Sequence, residues 1–236
     1  MAIGEECLLL EAKIGYKFSD VELIENAVTH SSYANEKKSQ GMNISSNERL
    51  EFLGDAVLEL VISDYLYKYY KNHSEGSLTK MRQHLVCEKT LSKIALKLEL
   101  GKYINLGRGE EITDCRCRPK VLADTLEALI AAVYLDSKSS EVLERVVLAL
   151  FKEEIEAASK MQRGDAKTML QQLVEKDGAA LLEYEVLSVS GPEHNKTFTV
   201  IAKVNNNVVG KGESKSKKDA EMKAAEAALS LFGISL

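Results

Sequence analysis

Residues 47–60, reading NERLEFLGDAVLEL, place three carboxylates, Glu48, Glu51 and Asp55, inside one of the most apolar stretches of the chain. At about 100° per residue the three fall within about 60° of one another on a helix. Leu50, Phe52, Leu53, Ala56, Val57, Leu60 and Val61 take up most of the remaining circumference, so the acids are expected where packing surrounds them. An unpaired carboxylate removed from water costs several kcal/mol, and neighbouring carboxylates raise each other's pKa unless something positive neutralises them. A divalent cation does this well. The run ADTLEALIAAVYLD, residues 123–136, repeats the pattern with Asp124 and Glu127 on one face of a helix otherwise made of Leu, Ile, Ala and Val. A single E-x-x-E is ordinarily a solvated face, and Glu59 lies near the first arc. Two acidic stripes in two apolar helices point instead to pooled ligands. All-oxygen ligation suits magnesium or manganese rather than zinc. A di-iron carboxylate site would need E-x-x-H pairs, and neither acidic helix offers the histidine.

Those helices must be held by others. Apolar residues recur at helical spacing over 21–28, 50–70, 78–98, 121–135 and 142–155, so the chain to about residue 157 is expected to be an all-helical domain. In THSSYANE, residues 29–36, His30 reads as a hydrogen-bonding residue near a helix end, and the stripe Tyr65, Tyr67, Tyr69, Tyr70 reads as packing. Glu75 precedes a helix that Ser77 is placed to cap. The segment 157–165, AASKMQRGD, is small and polar, and residues 158–165 are expected to link two domains. Beyond it the period changes: helix over 167–176, alternating strands over 184–189 and 198–204, a turn at 205–207 into Val208 and Val209, and an alanine-rich helix over 217–232. The order α-β-β-β-α over residues 166–236 predicts a small α+β domain with helices on one face of an antiparallel sheet.

The 236 residues, 45% hydrophobic, suffice for two domains with real cores. No apolar run approaches the length of a membrane span, and the N-terminus has no basic region leading into a long apolar segment. No membrane partner is expected, and the chain reads as cytoplasmic. Cys7, Cys87, Cys115 and Cys117 include no C-x-x-C pair, which argues against zinc and for reduced thiols. A net charge of −5 argues at first against a nucleic-acid partner. Its distribution argues less: residues 163–236 hold ten basic and ten acidic side chains, leaving the deficit in the first domain.

NERLEFLGDAVL resembles the signature segment of ribonuclease III, and ADTLEALIAAVYLD resembles the second acidic segment of that family in order, spacing and flanking residues. The resemblance implies that Glu51, Asp55, Asp124 and Glu127 are the metal-binding catalytic carboxylates, served by magnesium for which manganese can substitute. It gives Glu48 a supporting role across a homodimer and makes Glu75 an acid lining the cleft. It also implies the homodimer itself, with two centres facing one cleft, and Phe52 is the expected interface residue.

In KSKKDAEMKAAEAAL, Lys215, Lys217 and Lys218 sit at the start of the last helix, where free N–H groups and the helix dipole already favour an anion. Lysines there oppose the helix but clamp phosphate. Residues 165–232 are similar to the double-stranded RNA-binding domain: SKKDAEMKAA matches its signature, and Gly191 to His194, GPEH, matches its inter-strand loop. The resemblance implies that Lys167, Thr168 and Gln171 contact one minor groove, that His194 reaches 2′-hydroxyls in the next, and that Ser216, Lys217 and Lys218 hold the phosphates between. Such domains read A-form shape. Gln172 stands where many relatives have Glu. Together the two resemblances imply a metal-dependent endoribonuclease of double-stranded RNA leaving 5′-phosphate, 3′-hydroxyl and short 3′ overhangs, acting on structured precursors such as ribosomal RNA. The alternative is a processing scaffold that binds duplex RNA without cutting it.

Overall fold

A computed structural model of the chain describes residues 3–71, 73–163, 166–176, 181–192 and 196–234. It divides into two compact units, Met1–Tyr69 with Leu78–Ile155, and Tyr70–Ser77 with Glu156–Leu236. The helices are α1 (Ile3–Ile14), α2 (Val21–Ala27), α3 (Ser31–Ser39), α4 (Glu48–Tyr69), α5 (Glu75–Val86), α6 (Glu88–Lys97), α7 (Arg108–Ile112), α8 (Pro119–Ser137) and α9 (Ser140–Arg163). They are followed by α10 (Ala166–Lys176), β1 (Leu182–Ser190), β2 (Thr197–Val204), β3 (Asn207–Ser214) and α11 (Lys217–Leu231).

The first unit is helical, as its periodicity predicts, and α8 runs through its core. Leu122, Leu126, Leu129, Ile130 and Val133 of α8 are each at most 2% exposed. Pro119 starts the helix, where its missing N–H costs nothing. Lys138, in the left-handed region at φ 51°, ends it by returning its N–H to Tyr134. The helix α4 lies against α8 with Gly54 at the crossing: a Cβ there would sit 1.9 Å from the Glu127 carbonyl oxygen. Only a glycine permits that approach. Asn47, 3% exposed, pins the entry to α4. Its N–H donates to Thr29 O at 2.8 Å, its side-chain amide to Ala27 O at 3.4 Å, and its own carbonyl accepts from Glu51 N–H at 2.8 Å.

Several local expectations are corrected. The helix expected over 78–98 is two, because Cys87 takes an extended conformation and Thr90 Oγ1 donates to His84 O at 2.7 Å, satisfying a carbonyl at the end of α5. A side-chain bond of this kind competes with helix continuation, while the apolar period runs on because both helices bury a face. Ser74, not Ser77, caps α5, its Oγ accepting from Ser77 N–H at 3.3 Å. The tyrosine stripe packs only in part: Tyr67 and Tyr69 are 76% and 67% exposed, while Tyr65 and Tyr70 are half-buried and the Tyr65 and Tyr69 rings lie 4.7 Å apart. The helix α9 continues to Arg163, so residues 158–163 of the expected linker are helical. Residues 164–165 lie outside the described residues.

In the second unit β1, β2 and β3 form an antiparallel sheet in that order. Asn205 and Asn206, both left-handed at φ 48° and 69°, make the two-residue turn from β2 into β3. The helices α10 and α11 bury Leu170, Val174, Ala224 and Ala228 against Val200 and Ala202 of the sheet. The alanines of α11 and the glycines of β3 answer each other. A Cβ on Gly210 would meet Ala224 O at 2.1 Å, and one on Gly212 would meet Ala220 O at 2.3 Å.

Candidate metal centre and nucleic-acid interface

The crossing at Gly54 brings the two acidic stripes together. Ligand oxygens of Glu51, Asp124 and Glu127 all lie within 4.8 Å of one another, and the three side chains are partly buried. Two oxygens on one magnesium, each at about 2.1 Å, stand at most about 4.2 Å apart, so small rotations close the triad on one ion. The donor set is all hard oxygen, which fits such a cation.

Electrostatics in the site agree with that. Burial, then the charges of Asp55, Asp124 and Glu51, push the Glu127 carboxyl up to about 8. Burial and Asp124 raise Glu51, and burial raises Asp124. Three acids this close favour positive charge between them. Lys120 supplies some, with Nζ 3.5 Å from Asp124 Oδ2, and it pulls all three triad values down. Asp55 stands beside the triad rather than in it: exposed on α4, it is the largest electrostatic contribution to the rise of Glu127. Glu48 is exposed at the start of α4 and accepts from Ser46 Oγ at 2.9 Å. Glu75 is an exposed residue opening α5, in the segment 70–77 that groups with the second unit. His30 is a structural residue, as expected, capping α3 by accepting from Ser32 N–H at 3.2 Å.

Sequence reasoning missed Lys120, although its position one turn before Asp124 was a usable signal. It also missed Glu88, whose charge raises Asp124 from the start of α6 with no local sign of doing so. The apolar positions of α4 need a correction too. Phe52 is 83% and Leu60 69% exposed, and Ala56 is exposed with them. Among the described residues nothing covers this stripe of α4. Beside this stripe an apolar hollow of about 460 Å³ is lined by Ala56, Val57, Leu60, Val61, Tyr134 and Leu143, among others.

In the second unit Ser216 caps α11, accepting from Asp219 N–H at 3.1 Å and donating its hydroxyl to Asp219 Oδ2 at 2.7 Å. Lys215, Lys217 and Lys218 are exposed around that helix start. Lys167 Nζ is 2.7 Å from Glu221 Oε2 and 4.4 Å from the Tyr184 ring centroid. Thr168, Gln171 and Gln172 are exposed on α10, and Gln171 donates to Glu175 at 3.0 Å. His194 lies outside the described residues.

Comparisons with known proteins agree with both units. Residues 20–155 match the family described as ribonuclease-III-like, and residues 166–231 match the double-stranded RNA binding motif. The chain is 50% identical over 226 residues to ribonuclease 3 of Caldanaerobacter subterraneus, covering 95% of this chain and 97% of that one. It is 46% identical over 223 residues to ribonuclease 3 of Listeria monocytogenes, covering 93% and 95%. Among solved structures, the nuclease domain of ribonuclease III from Campylobacter jejuni, described for structural flexibility in a region involved in dimer formation, superposes with a TM-score of 0.56 at 39% identity. It covers 61% of this chain and 95% of that one. With its acidic crossing in the first unit and its lysine-led helix in the second both falling inside matched segments, this chain belongs to the ribonuclease III family of double-stranded RNA endonucleases.

Proposed function

We propose that the chain cuts double-stranded RNA at a magnesium centre held by Glu51, Asp124 and Glu127 with Asp55 beside them, and that manganese can replace magnesium. The observation that carries this is the meeting of the three carboxylates at the Gly54 crossing. When bound, such an ion lowers the pKa of water enough to give a nucleophile near neutral pH and stabilises charge on the phosphoryl oxygens. The chain's own part is to fix the ligands. Gly54 sets the helix separation, Asn47 fixes the start of α4, and Lys120 offsets part of the repulsion among the carboxylates. Water adding to phosphorus and the 3′ oxygen departing with a proton leave a 5′-phosphate and a 3′-hydroxyl.

One centre cuts one strand, so cutting both calls for two copies. The stripe of Phe52, Ala56 and Leu60 beside an apolar hollow is the surface that supports a homodimer, with Phe52 as the anchor. Paired centres then yield short 3′ overhangs on structured precursors such as ribosomal RNA. Glu48 is proposed to act across the dimer and Glu75 to line the cleft. In the second unit Lys167, Thr168, Gln171 and His194 are proposed for the minor grooves, and Lys215, Ser216, Lys217 and Lys218 for phosphates. Residues 1–157 and 166–236 are taken as the two domains.

The test is a perfectly paired RNA duplex incubated with the protein and magnesium. Shortening to fragments with 5′-phosphate ends, abolished by a chelator, is expected. A mobility shift without shortening would favour a non-catalytic scaffold instead.

A further inference from the structure

Glu221 is an acid in the second turn of a helix that begins with two lysines, on the surface expected to meet a polyanion. Its side chain is only 17% exposed. Its Oε2 takes Lys167 of α10 at 2.7 Å, and its Oε1 lies 4.0 Å from Lys217 of α11. The Lys167 ammonium also stands 4.4 Å from the centre of the Tyr184 ring, on β1. That ring's hydroxyl is buried with no hydrogen-bond partner, and burial and then the Glu221 charge push it up to about 12. The phenol therefore stays neutral, and its face remains a seat for the lysine.

We propose that Glu221 is a positioning residue for duplex recognition, holding Lys167 and Lys217, on two different helices, in place for minor-groove and phosphate contacts. This rests on the reading of the second unit as the duplex-binding half. A plain charge argument runs the other way, since an acid next to a phosphate clamp repels the ligand. Positioning wins if the carboxylate orders two flexible lysines before binding, because each such side chain otherwise loses rotamer freedom on contact. The number of phosphates met is then unchanged, and only the affinity falls.

A double-mutant cycle on the whole chain tests this, using a 24-base-pair RNA duplex in magnesium-free buffer. Glu221→Gln should weaken binding about five- to tenfold at an unchanged salt slope. In the background of Lys167→Gln with Lys217→Gln, itself weaker than the parent, the same change should cost less than about twofold. Equal losses in both backgrounds, no loss, or tighter binding by Glu221→Gln would overturn the proposal. A Glu221→Gln chain without a cooperative melt by circular dichroism would make the carboxylate a fold residue and overturn it as well. Failure of the unaltered chain to bind the duplex would sink the underlying reading instead.

Discussion

Glu127 is the residue at which burial and three neighbouring acids act together, and its carboxyl is lifted from 4.5 to about 8. A folded-state value above the unfolded one stabilises the fold below pH 4.5, and the contribution is lost as pH rises towards 8. Without a cation the ionised triad is therefore a strain on the first unit. In chelator-treated buffer Glu127→Gln should be more stable than the parent by about 2 kcal/mol at pH 8.5, where half-exposure of the site weakens the repulsion, with little difference near pH 4.5. Calorimetric melts of both proteins at the two pH values check it, and an equal shift at both would mean that ionisation is not the cause. The same substitution should abolish cutting while duplex binding in magnesium-free buffer persists. Loss of binding would show the residue to be misassigned.

Between elements, the decisive contact is Gly54 against the Glu127 carbonyl. Both atoms belong to backbone, so no side-chain rotation relieves a Cβ placed 1.9 Å from that oxygen. Gly54→Ala should force α4 and α8 apart, destabilise the first unit by about 1–3 kcal/mol and remove cutting, because Glu51 and Asp124 leave the reach of one ion. Filter binding of an uncut duplex should be unaltered, as that surface lies in the second unit. Much of this was legible beforehand. Acids at i, i+3 and i+7 in one apolar segment and at i and i+3 in another announced the two stripes, and the change of period after residue 165 announced the sheet. The break at Cys87 was hidden because apolar spacing continues across it. Exposure of Leu60 was hidden for another reason: periodicity marks an apolar face without saying whether this chain or a second one covers it. The Lys167 pair with Glu221 spans 54 positions, and no local pattern reports it.

At the scale of the whole molecule, association and charge decide what the two sites accomplish. An exposed phenylalanine flanked by Ala56 and Leu60 is costly to leave in water, so Phe52→Glu should shift sedimentation from dimer to monomer and turn double-strand cuts into nicks. A dimer that persists in this variant would remove Phe52 from the interface. The net charge of −5 would by itself repel RNA, but residues 163–236 are neutral in sum and concentrate lysines at the start of α11. Duplex affinity then depends on a few local contacts, each releasing counterions, rather than on the field of the whole chain. Replacing Lys217 and Lys218 together by alanine should weaken binding to every duplex alike and flatten the slope of log affinity against log salt by up to about two. Titrations of one labelled duplex at four or five salt concentrations give that slope directly. If affinity falls while the slope stays fixed, the two lysines act through the fold of α11 and not through phosphate.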